Sequence, residues 1–290
     1  MSFAHPEYLI SAEALAEKLG NDNLRLFDVA IYLKPNPKGG FMAEGGRSAY
    51  DKAHIPGAAF LDQIVQLSDP DSQLGFTRLP DDRLVQAFAD AGIDADSDVV
   101  FYSSGMTMWA TRAWWLLHYC GHEKVAVLDG GLKAWQDAGF DCSTDEAVYP
   151  AAQWSSTARP HHFVGKDDVA AAIEDAGVCT VNALSPGVYA GTDPHHYGRR
   201  GHIPNSINIF YNALLEDEKF RAPQELVQSL TDAGVLDDRR VITYCGGGIA
   251  ATVDAFACLL AGKHDVAVYD GSMSEWVRDE ALPLVEGSEP

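Results

Sequence analysis

Basic residues are scarce in this sequence of 290 residues, where 21 Lys and Arg stand against 42 Asp and Glu, for a formal charge of −21 at pH 7. Nucleic acid and anionic membranes repel so acidic a chain. Long apolar runs are absent as well, and a membrane helix needs ~20 apolar residues. The first residues lack the basic and apolar parts of a secretory signal. We therefore expect a cytoplasmic protein with neither a nucleic-acid nor a membrane partner, which captures anionic substrates through local donors.

Cysteine is sparse too. The five cysteines form no C-x-x-C pair and no His/Cys ligand pattern, so neither a metal site nor a disulfide framework is predicted. Cys120 and Cys258 lie in apolar helical runs and are interpreted as buried packing residues. Cys245 differs, because a strand-like run, residues 241–244, ends just before it and a glycine-rich turn after it opens a helix. Backbone N–H groups and the helix dipole would both favour a thiolate there, which makes Cys245 the candidate nucleophile.

The two halves of the chain repeat each other. Motifs of the first half recur in the second at shifts of 141 to 148 residues: His-Ile-Pro at His54 and His202, Leu-Val-Gln at Leu84 and Leu226, the runs ending at Tyr102 and Tyr244, and Asp-Gly-x-x-x-x-Trp at Asp129 and Asp270. The small change in shift indicates insertions between shared elements. The chain therefore holds two copies of one fold and is not a solenoid of short repeats.

Each copy alternates strand-like and helix-like segments. In the second copy the patterns predict strands over residues 178–183, 241–244 and 266–269, and helices over 223–233 and 250–260. This alternation predicts the α/β class, as two tandem domains that each have a mainly parallel sheet with helices on both faces. We place the domains at residues 1–143 and 164–290. The linker at 144–163 contains prolines and small residues without periodicity.

The two copies differ where chemistry is expected. Cys245 aligns with Ser103 at the shift of 142 residues, and a serine without a base is far less ionised than a cysteine. The first copy is therefore predicted to be inactive and the second to be catalytic. A cysteine phosphatase would carry a phosphate-clamping arginine six residues after its cysteine, where this chain has Ala251. Phosphoryl transfer is accordingly disfavoured.

Taken together, Val-x-x-Tyr-Cys-Gly-x-Gly, the paired His-Ile-Pro and the paired Asp-Gly-x-x-x-x-Trp resemble the tandem-rhodanese sulfurtransferases, over roughly residues 8–286. The resemblance implies an active site at the domain interface, a catalytic Cys245 and an inactive first domain. It also implies that sulfane sulfur passes from thiosulfate or 3-mercaptopyruvate to Cys245, and from the persulfide to a thiol or cyanide. No metal or organic cofactor is required, because a thiolate displaces at sulfur.

The loop after Cys245 suits a persulfide, whose outer sulfur is negatively charged. Successive N–H groups of a glycine-rich turn converge on an anion, and glycines allow the necessary backbone angles. The predicted binding loop comprises Gly246, Gly247, Gly248, Ile249, Ala250 and Ala251. Its shape favours 3-mercaptopyruvate slightly, although Gly247 stands where relatives of that type place a serine.

The sequence departs from the family at two expected arginines. Leu184 replaces the arginine of an Asp-x-Arg motif, whose acid is here Asn182, and a further family arginine falls on His195. Replacement cations are sought in a dense cluster of the second half, which alternatively only faces solvent on a loop: His195, His196, Arg199 and Arg200.

In the first copy, His54 and Tyr102 match family residues near the active site. His54 is a candidate proton relay near neutral pH. The alternative is a structural histidine that bonds backbone, since His202 repeats it. For the chain as a whole, the alternative to an enzyme is a rhodanese-type binding or sensing module that has drifted from catalysis. Retention of Cys245 and its glycines favours the enzyme.

Overall fold

The computed structural model describes residues 2–35 and 41–290. In the first copy the strands are β1 (Leu9–Ile10), β2 (Leu24–Asp28), β3 (Ile31–Pro35), β4 (Phe41–Gly45), β5 (Ala59–Phe60), β6 (Asp98–Tyr102) and β7 (Val125–Leu128). The helices are α1 (Ala12–Lys18), α2 (Arg47–Tyr50), α3 (Gln63–Gln66), α4 (Asp81–Asp90), α5 (Met108–Tyr119) and α6 (Gly131–Asp137). A 3-10 helix, Pro6–Tyr8, precedes β1.

The second copy repeats this order. Its strands are β8 (Phe163–Val164), β9 (Val178–Asn182), β10 (Ser206–Asn208), β11 (Leu215–Glu216), β12 (Lys219–Phe220), β13 (Arg240–Tyr244) and β14 (Val266–Tyr269). Its helices are α7 (Lys166–Ala172), α8 (Pro186–Tyr189), α9 (Pro223–Asp232), α10 (Ala251–Leu260) and α11 (Ser272–Trp276), and its 3-10 helices are Pro160–His162 and Tyr211–Leu214. The predicted strands and helices of this copy are all confirmed to within a residue or two.

Each copy is built on a five-stranded parallel sheet. The strand order is β1-β7-β6-β2-β5 in the first copy and β8-β14-β13-β9-β10 in the second, which is the same topology. Alternate residues of the central strand β6 face opposite sides: Val99 and Phe101 pack with α4 and α5, whereas Val100 and Tyr102 pack with α1 and α6. The predicted two-domain α/β class, with helices on both faces of each sheet, is confirmed.

The helices α5 and α10 bring the copies together. Their buried faces belong to one continuous apolar core that contains residues of both sheets, and the Thr111 and Thr252 hydroxyls form a hydrogen bond of 2.8 Å between them. Trp109, Trp114 and Trp115 pack in this core, where all three are at most 1% exposed. No helix in the described ranges has the length and apolar character needed to cross a membrane.

Equivalent segments also cross between the copies. The Arg78 N–H donates to Asp270 Oδ2 at 3.0 Å, and the Phe220 N–H, in the β11–β12 hairpin, donates to Asp129 Oδ1 at 2.9 Å. Arg78 and Phe220 are related by the same 142-residue shift as the repeat. Each Asp-Gly motif therefore accepts a backbone hydrogen bond from the other copy, and these two hydrogen bonds are related by an approximate twofold symmetry.

The predicted linker follows the surface of the first copy. The Ala152 N–H donates to the Ala89 carbonyl at 2.8 Å, and the Arg159 N–H donates to the Tyr119 carbonyl at 2.8 Å. The second sheet begins at Phe163, where β8 pairs with β14. These bonds hold the connecting segment against the domain that it leaves.

Candidate active site

Cys245 lies directly after β13, at the carboxyl end of a central parallel strand, and is 2% exposed. Its N–H donates to Ser272 Oγ at 3.1 Å, and that hydroxyl in turn donates to the Tyr269 carbonyl at 2.7 Å. Its carbonyl accepts the Met273 N–H at 3.1 Å. The backbone of the cysteine is thus held by α11 and the turn before it.

The N–H groups of the loop have no internal acceptor. In the described part of the chain, the N–H groups of residues 246–250 donate no hydrogen bond, and α10 begins at Ala251. The carbonyls are engaged instead, because Gly246 O accepts the Ser274 N–H at 2.8 Å and the Ser274 hydroxyl at 2.6 Å. A run of unbonded amides next to a cysteine forms an anion-binding nest.

Gly248 needs the freedom of glycine. Its φ of +77° lies in the left-handed region, and a Cβ there would approach the Asp270 carbonyl oxygen to 2.6 Å. The Gly248 carbonyl accepts a hydrogen bond of 3.2 Å from the buried Arg112, which lies on α5 of the first copy. Arg112 also pairs with Asp270 at 2.6 Å. The first copy thus supplies a cation beneath the loop.

Two tyrosines not singled out from the sequence face Cys245. A Cβ on Gly246 would overlap the Tyr197 hydroxyl, so the ring rests directly on the loop. Burial, and then electrostatic repulsion from Cys245, raise the pKa of Tyr197. Burial, the Glu218 carboxylate and Cys245 raise the pKa of Tyr211. A sequence signal existed for Tyr197, which lies inside the predicted cationic cluster. None was visible for Tyr211.

The first copy also contributes the facing wall. A Cβ on Gly247 would lie 3.7 Å from the Gly75 carbonyl oxygen, and Phe76, beside it, has a φ of +66°. The Phe76 carbonyl accepts a hydrogen bond of 2.9 Å from Arg112. The loop of Cys245 therefore lies at the interface between the two copies.

The equivalent loop of the first copy is closed by internal acceptors. The Gly105 N–H donates to Ser103 Oγ at 3.0 Å, and the Thr107 N–H donates to Glu218 Oε2 at 2.6 Å. Asp28 Oδ1 accepts the Ala30 N–H at 2.9 Å, and burial raises the pKa of Asp28 to about 6. Side-chain oxygens therefore bond two amides of this loop, Gly105 and Thr107, whose counterparts Gly247 and Ile249 stay unbonded beside Cys245.

His54 and Tyr102 are held within the first copy. His54 is fully buried, and its Nδ1 and Nε2 contact the carbonyl oxygens of Tyr50 and Asp145 at 2.7 and 3.0 Å. Tyr102 Oη accepts the Ile55 N–H at 3.2 Å, and burial raises the pKa of Tyr102 well above its usual range. His202 bonds backbone carbonyls in the same way at 2.9 and 3.1 Å. These contacts favour a structural role for His54.

The two arginines of the predicted cationic cluster donate to backbone carbonyls. Arg199 donates to the Asp279 and Leu282 carbonyls at 3.2 and 2.9 Å, and Arg200 donates to the Gly191 and Asp193 carbonyls. His196 Nδ1 accepts the Gly198 N–H at 3.1 Å.

The His195 ring packs edge-on against the Tyr197 ring, with ring centroids 5.2 Å apart. At the position where the family has an Asp-x-Arg motif, Asn182 Oδ1 accepts the Leu184 N–H at 2.8 Å, and this bond shapes a turn.

Three of the other cysteines, Cys120, Cys179 and Cys258, are unsuited to nucleophilic chemistry. Burial raises the pKa of the Cys120 thiol to about 12, and it raises the pKa of the Cys258 and Cys179 thiols as well. The predicted packing role of Cys120 and Cys258 is confirmed, since they are 0% and 1% exposed. Cys142, which is half-buried, accepts a hydrogen bond of 3.6 Å from Gln136 Nε2.

An α/β domain pair that presents one cysteine beneath unbonded amides defines a thiol-dependent group-transfer enzyme. Comparison with known proteins narrows this class. The profile of the Rhodanese-like domain matches residues 11–138 and 181–279. The chain belongs to the rhodanese family, as two tandem domains, and is a sulfurtransferase.

Curated relatives span nearly the whole chain. A probable 3-mercaptopyruvate sulfurtransferase of Pseudomonas aeruginosa is 33% identical over 96% of this chain and 98% of its own length. Thiosulfate sulfurtransferase of Rattus norvegicus is 30% identical over 93% of this chain and 92% of its own.

Solved structures agree with this assignment. SseA from Escherichia coli, described as a 3-mercaptopyruvate sulfotransferase with the rhodanese fold, superimposes with a TM-score of 0.80 at 27% identity, over 91% of this chain and 98% of its own. A variant of EanB, in complex with ergothioneine covalently linked with a cysteine persulfide, gives a TM-score of 0.83 at 25% identity, over 98% of this chain and 71% of its own.

Proposed function

We propose that Cys245 is the nucleophile that carries sulfane sulfur as a persulfide, and that 3-mercaptopyruvate or thiosulfate is the donor. The observation that carries this proposal is the run of five unbonded N–H groups, residues 246–250, around a cysteine at the end of β13. The persulfide and the departing anion both gain from preorganised donors in a site with little water. The curated relatives, named for these two donors, support the same chemistry.

The half-reaction with each donor is a displacement. With thiosulfate, the Cys245 thiolate attacks the outer sulfur, a new S–S bond forms, and sulfite leaves with the electron pair of the old S–S bond. With 3-mercaptopyruvate, the thiolate attacks the thiol sulfur, the C–S bond breaks, and the enolate of pyruvate leaves and takes up a proton. A thiol or cyanide then attacks the outer sulfur and restores the Cys245 thiolate.

The binding donors are the loop amides from Gly246 to Ala251. The arrangement of Arg199 and Arg200, which donate to backbone carbonyls, supports capture by amides over capture by arginine. The 3-mercaptopyruvate molecule fits this better, because it carries one negative charge on its carboxylate whereas thiosulfate carries two. We therefore propose 3-mercaptopyruvate as the preferred donor and a cytoplasmic enzyme as the setting.

Intact-mass analysis tests this proposal directly. The protein, freed of bound sulfur by cyanide, is incubated with either donor, and a mass gain of one sulfur atom is expected. Cys245→Ser should abolish the gain, whereas the matched Cys142→Ser should retain it, since Cys142 lies in a different turn. No sulfur gain with either donor would refute the enzymatic assignment of Cys245 and favour the binding or sensing module.

A further inference from the structure

Arg112 spans the two copies at a buried position. It lies on α5 of the first copy, is 2% exposed, and directs its guanidinium into the second copy. Nη2 lies 2.6 Å from Asp270 Oδ1 and donates to the Phe76 carbonyl at 2.9 Å, while Nη1 donates to the Gly248 carbonyl at 3.2 Å. One side chain therefore joins the facing wall, the Asp-Gly motif and the catalytic loop.

These bonds determine which way the loop points its polar groups. The Gly248 carbonyl accepts from Arg112, and the Gly246 carbonyl accepts from Ser274. With both carbonyls drawn into the protein, the intervening N–H groups remain without internal acceptors. The guanidinium also balances the Asp270 carboxylate, which would otherwise place an unpaired negative charge beside the loop.

The internal repeat does not duplicate Arg112. Asp129 is the repeat counterpart of Asp270 and makes the equivalent hydrogen bond to the other copy, yet no salt bridge involves it within the described ranges. The positions of α10 that align with Arg112, at the shifts of 141 and 142 residues, are Val253 and Asp254. The loop of the first copy thus has the interdomain hydrogen bond without the arginine. Burial raises the pKa of Asp129, and the charge of Lys219, the nearby cation, lowers it by less.

We propose that Arg112 is a positioning residue for sulfur transfer. Acting from the inactive first copy, it neutralises Asp270 and holds the Gly248 carbonyl away from Cys245, so that the loop amides face the sulfur. This inference rests on the proposed persulfide role of Cys245. It assigns to the first domain a direct part in preparing the active site.

The test separates the effect of the Arg112 charge from the effect of the Arg112 hydrogen bonds, in the chain of 290 residues. The variants are Arg112→Met, Arg112→Lys, Asp270→Asn and the double variant Arg112→Met with Asp270→Asn. Asp129→Asn is the matched control, because it weakens the equivalent interdomain bond at the inactive loop. Each is measured for iodoacetamide alkylation of Cys245 against pH, for the single-turnover rate of sulfur loading, and for thermal unfolding.

For Arg112→Met we expect the midpoint of the alkylation profile to rise by about one pH unit, which corresponds to roughly tenfold less thiolate, and loading to slow at least as much. Arg112→Lys should recover most of the midpoint, since it keeps the charge. The double variant should restore the midpoint but load slowly, because the Gly248 carbonyl has lost its donor. Asp129→Asn should change neither.

A purely structural role gives a different pattern. Arg112→Met would then unfold at lower temperature while its alkylation profile and loading rate matched those of the unsubstituted protein, and that result would overturn the inference. If Arg112→Met does not fold, Arg112→Lys decides. It keeps the charge but loses the planar group that reaches Asp270, Phe76 and Gly248 together, so an unchanged loading rate in this variant also overturns the inference. Loading failure in the unsubstituted protein would instead reject the proposed function, while the alkylation data would still report on Arg112.

Discussion

Replacing Gly246 by alanine should destabilise the protein, whereas replacing its neighbour Gly247 by alanine should change the stability little. In Gly246→Ala the new Cβ would overlap the hydroxyl oxygen and Cζ of Tyr197, a half-buried ring that must move. In Gly247→Ala the new Cβ would meet only Gly75 O at 3.7 Å and Ser274 Oγ at 3.9 Å, which are ordinary van der Waals contacts. Neither glycine has a positive φ, so the surroundings alone distinguish the two variants.

The expected magnitude follows from overpacking. Forcing an extra carbon into a filled site costs typically about 1–3 kcal/mol in the free energy of unfolding, so Gly246→Ala should lose roughly that amount. Gly247→Ala should stay within about 0.5 kcal/mol. Because Tyr197 lies against the catalytic loop, Gly246→Ala should also slow sulfur loading of Cys245, by about tenfold if 1.4 kcal/mol of the strain reaches the transition state.

Denaturant unfolding and single-turnover loading measure these two effects. The double variant Gly246→Ala with Tyr197→Ala removes the ring and should recover part of the loading rate lost in Gly246→Ala. Equal stability and equal loading in Gly246→Ala and Gly247→Ala would refute the placement of Tyr197 against the loop.

Two further predictions concern carboxylates at the interface helices, Asp254, which is buried on α10, and Glu218, which is half-buried in the β11–β12 hairpin and bonds the start of α5. Both oxygens of Asp254 on α10 lack a hydrogen bond in the described structure, and burial raises the pKa of Asp254 well above its usual range. The folded state then holds this proton more tightly than the unfolded state, so stability falls as pH rises above about 4, by up to about 1.4 kcal/mol per unit until the folded-state pKa is reached. Asp254→Asn cannot titrate, so its stability relative to the original should increase from pH 5 to pH 8 in urea unfolding; a constant difference would contradict the assignment. At the start of α5, Glu218→Ala removes the carboxylate that accepts the Thr107 N–H, which should cost about 0.5–2 kcal/mol. Glu218→Ala should leave sulfur loading of Cys245 unchanged, and a loading defect without loss of stability would show that the first loop does more than support the fold.

Much of the fold was predictable because its signals are local. The apolar run before Cys245 and the glycines after it specify a strand, a turn and a helix whatever the rest of the chain does, and the structure has them at Arg240–Tyr244 and Ala251–Leu260. The alignment of Cys245 with Ser103 likewise needs only the order of residues. The order of residues does not show which backbone N–H groups lack a hydrogen bond. The N–H groups of residues 246–250 are unbonded, whereas Glu218 accepts the Thr107 N–H in the loop after Ser103, and only the structure shows this difference.

Residues missed at the site act over long separations in the chain. Arg112 reaches a carbonyl 136 positions away, and Tyr197 contacts the loop from a segment that the sequence presents as a cluster of cations. In the same cluster, Arg199 donates to the Asp279 and Leu282 carbonyls and Arg200 donates to the Gly191 and Asp193 carbonyls, contacts that the sequence does not show. Which charges face a substrate depends on how the segments pack.

The sequence by itself determined that this chain is a duplicated α/β protein with one candidate nucleophile, Cys245, because periodicity, glycine placement and internal repetition are properties of neighbouring residues. The tertiary structure alone decided that the first copy contributes to the candidate site of the second. A shared core between α5 and α10 carries Arg112 beneath the Gly248 carbonyl and places Gly75 across from Gly247. The physical reason is that an anion nest needs its carbonyls bonded elsewhere, and the donor for one of them comes from the other half of the chain.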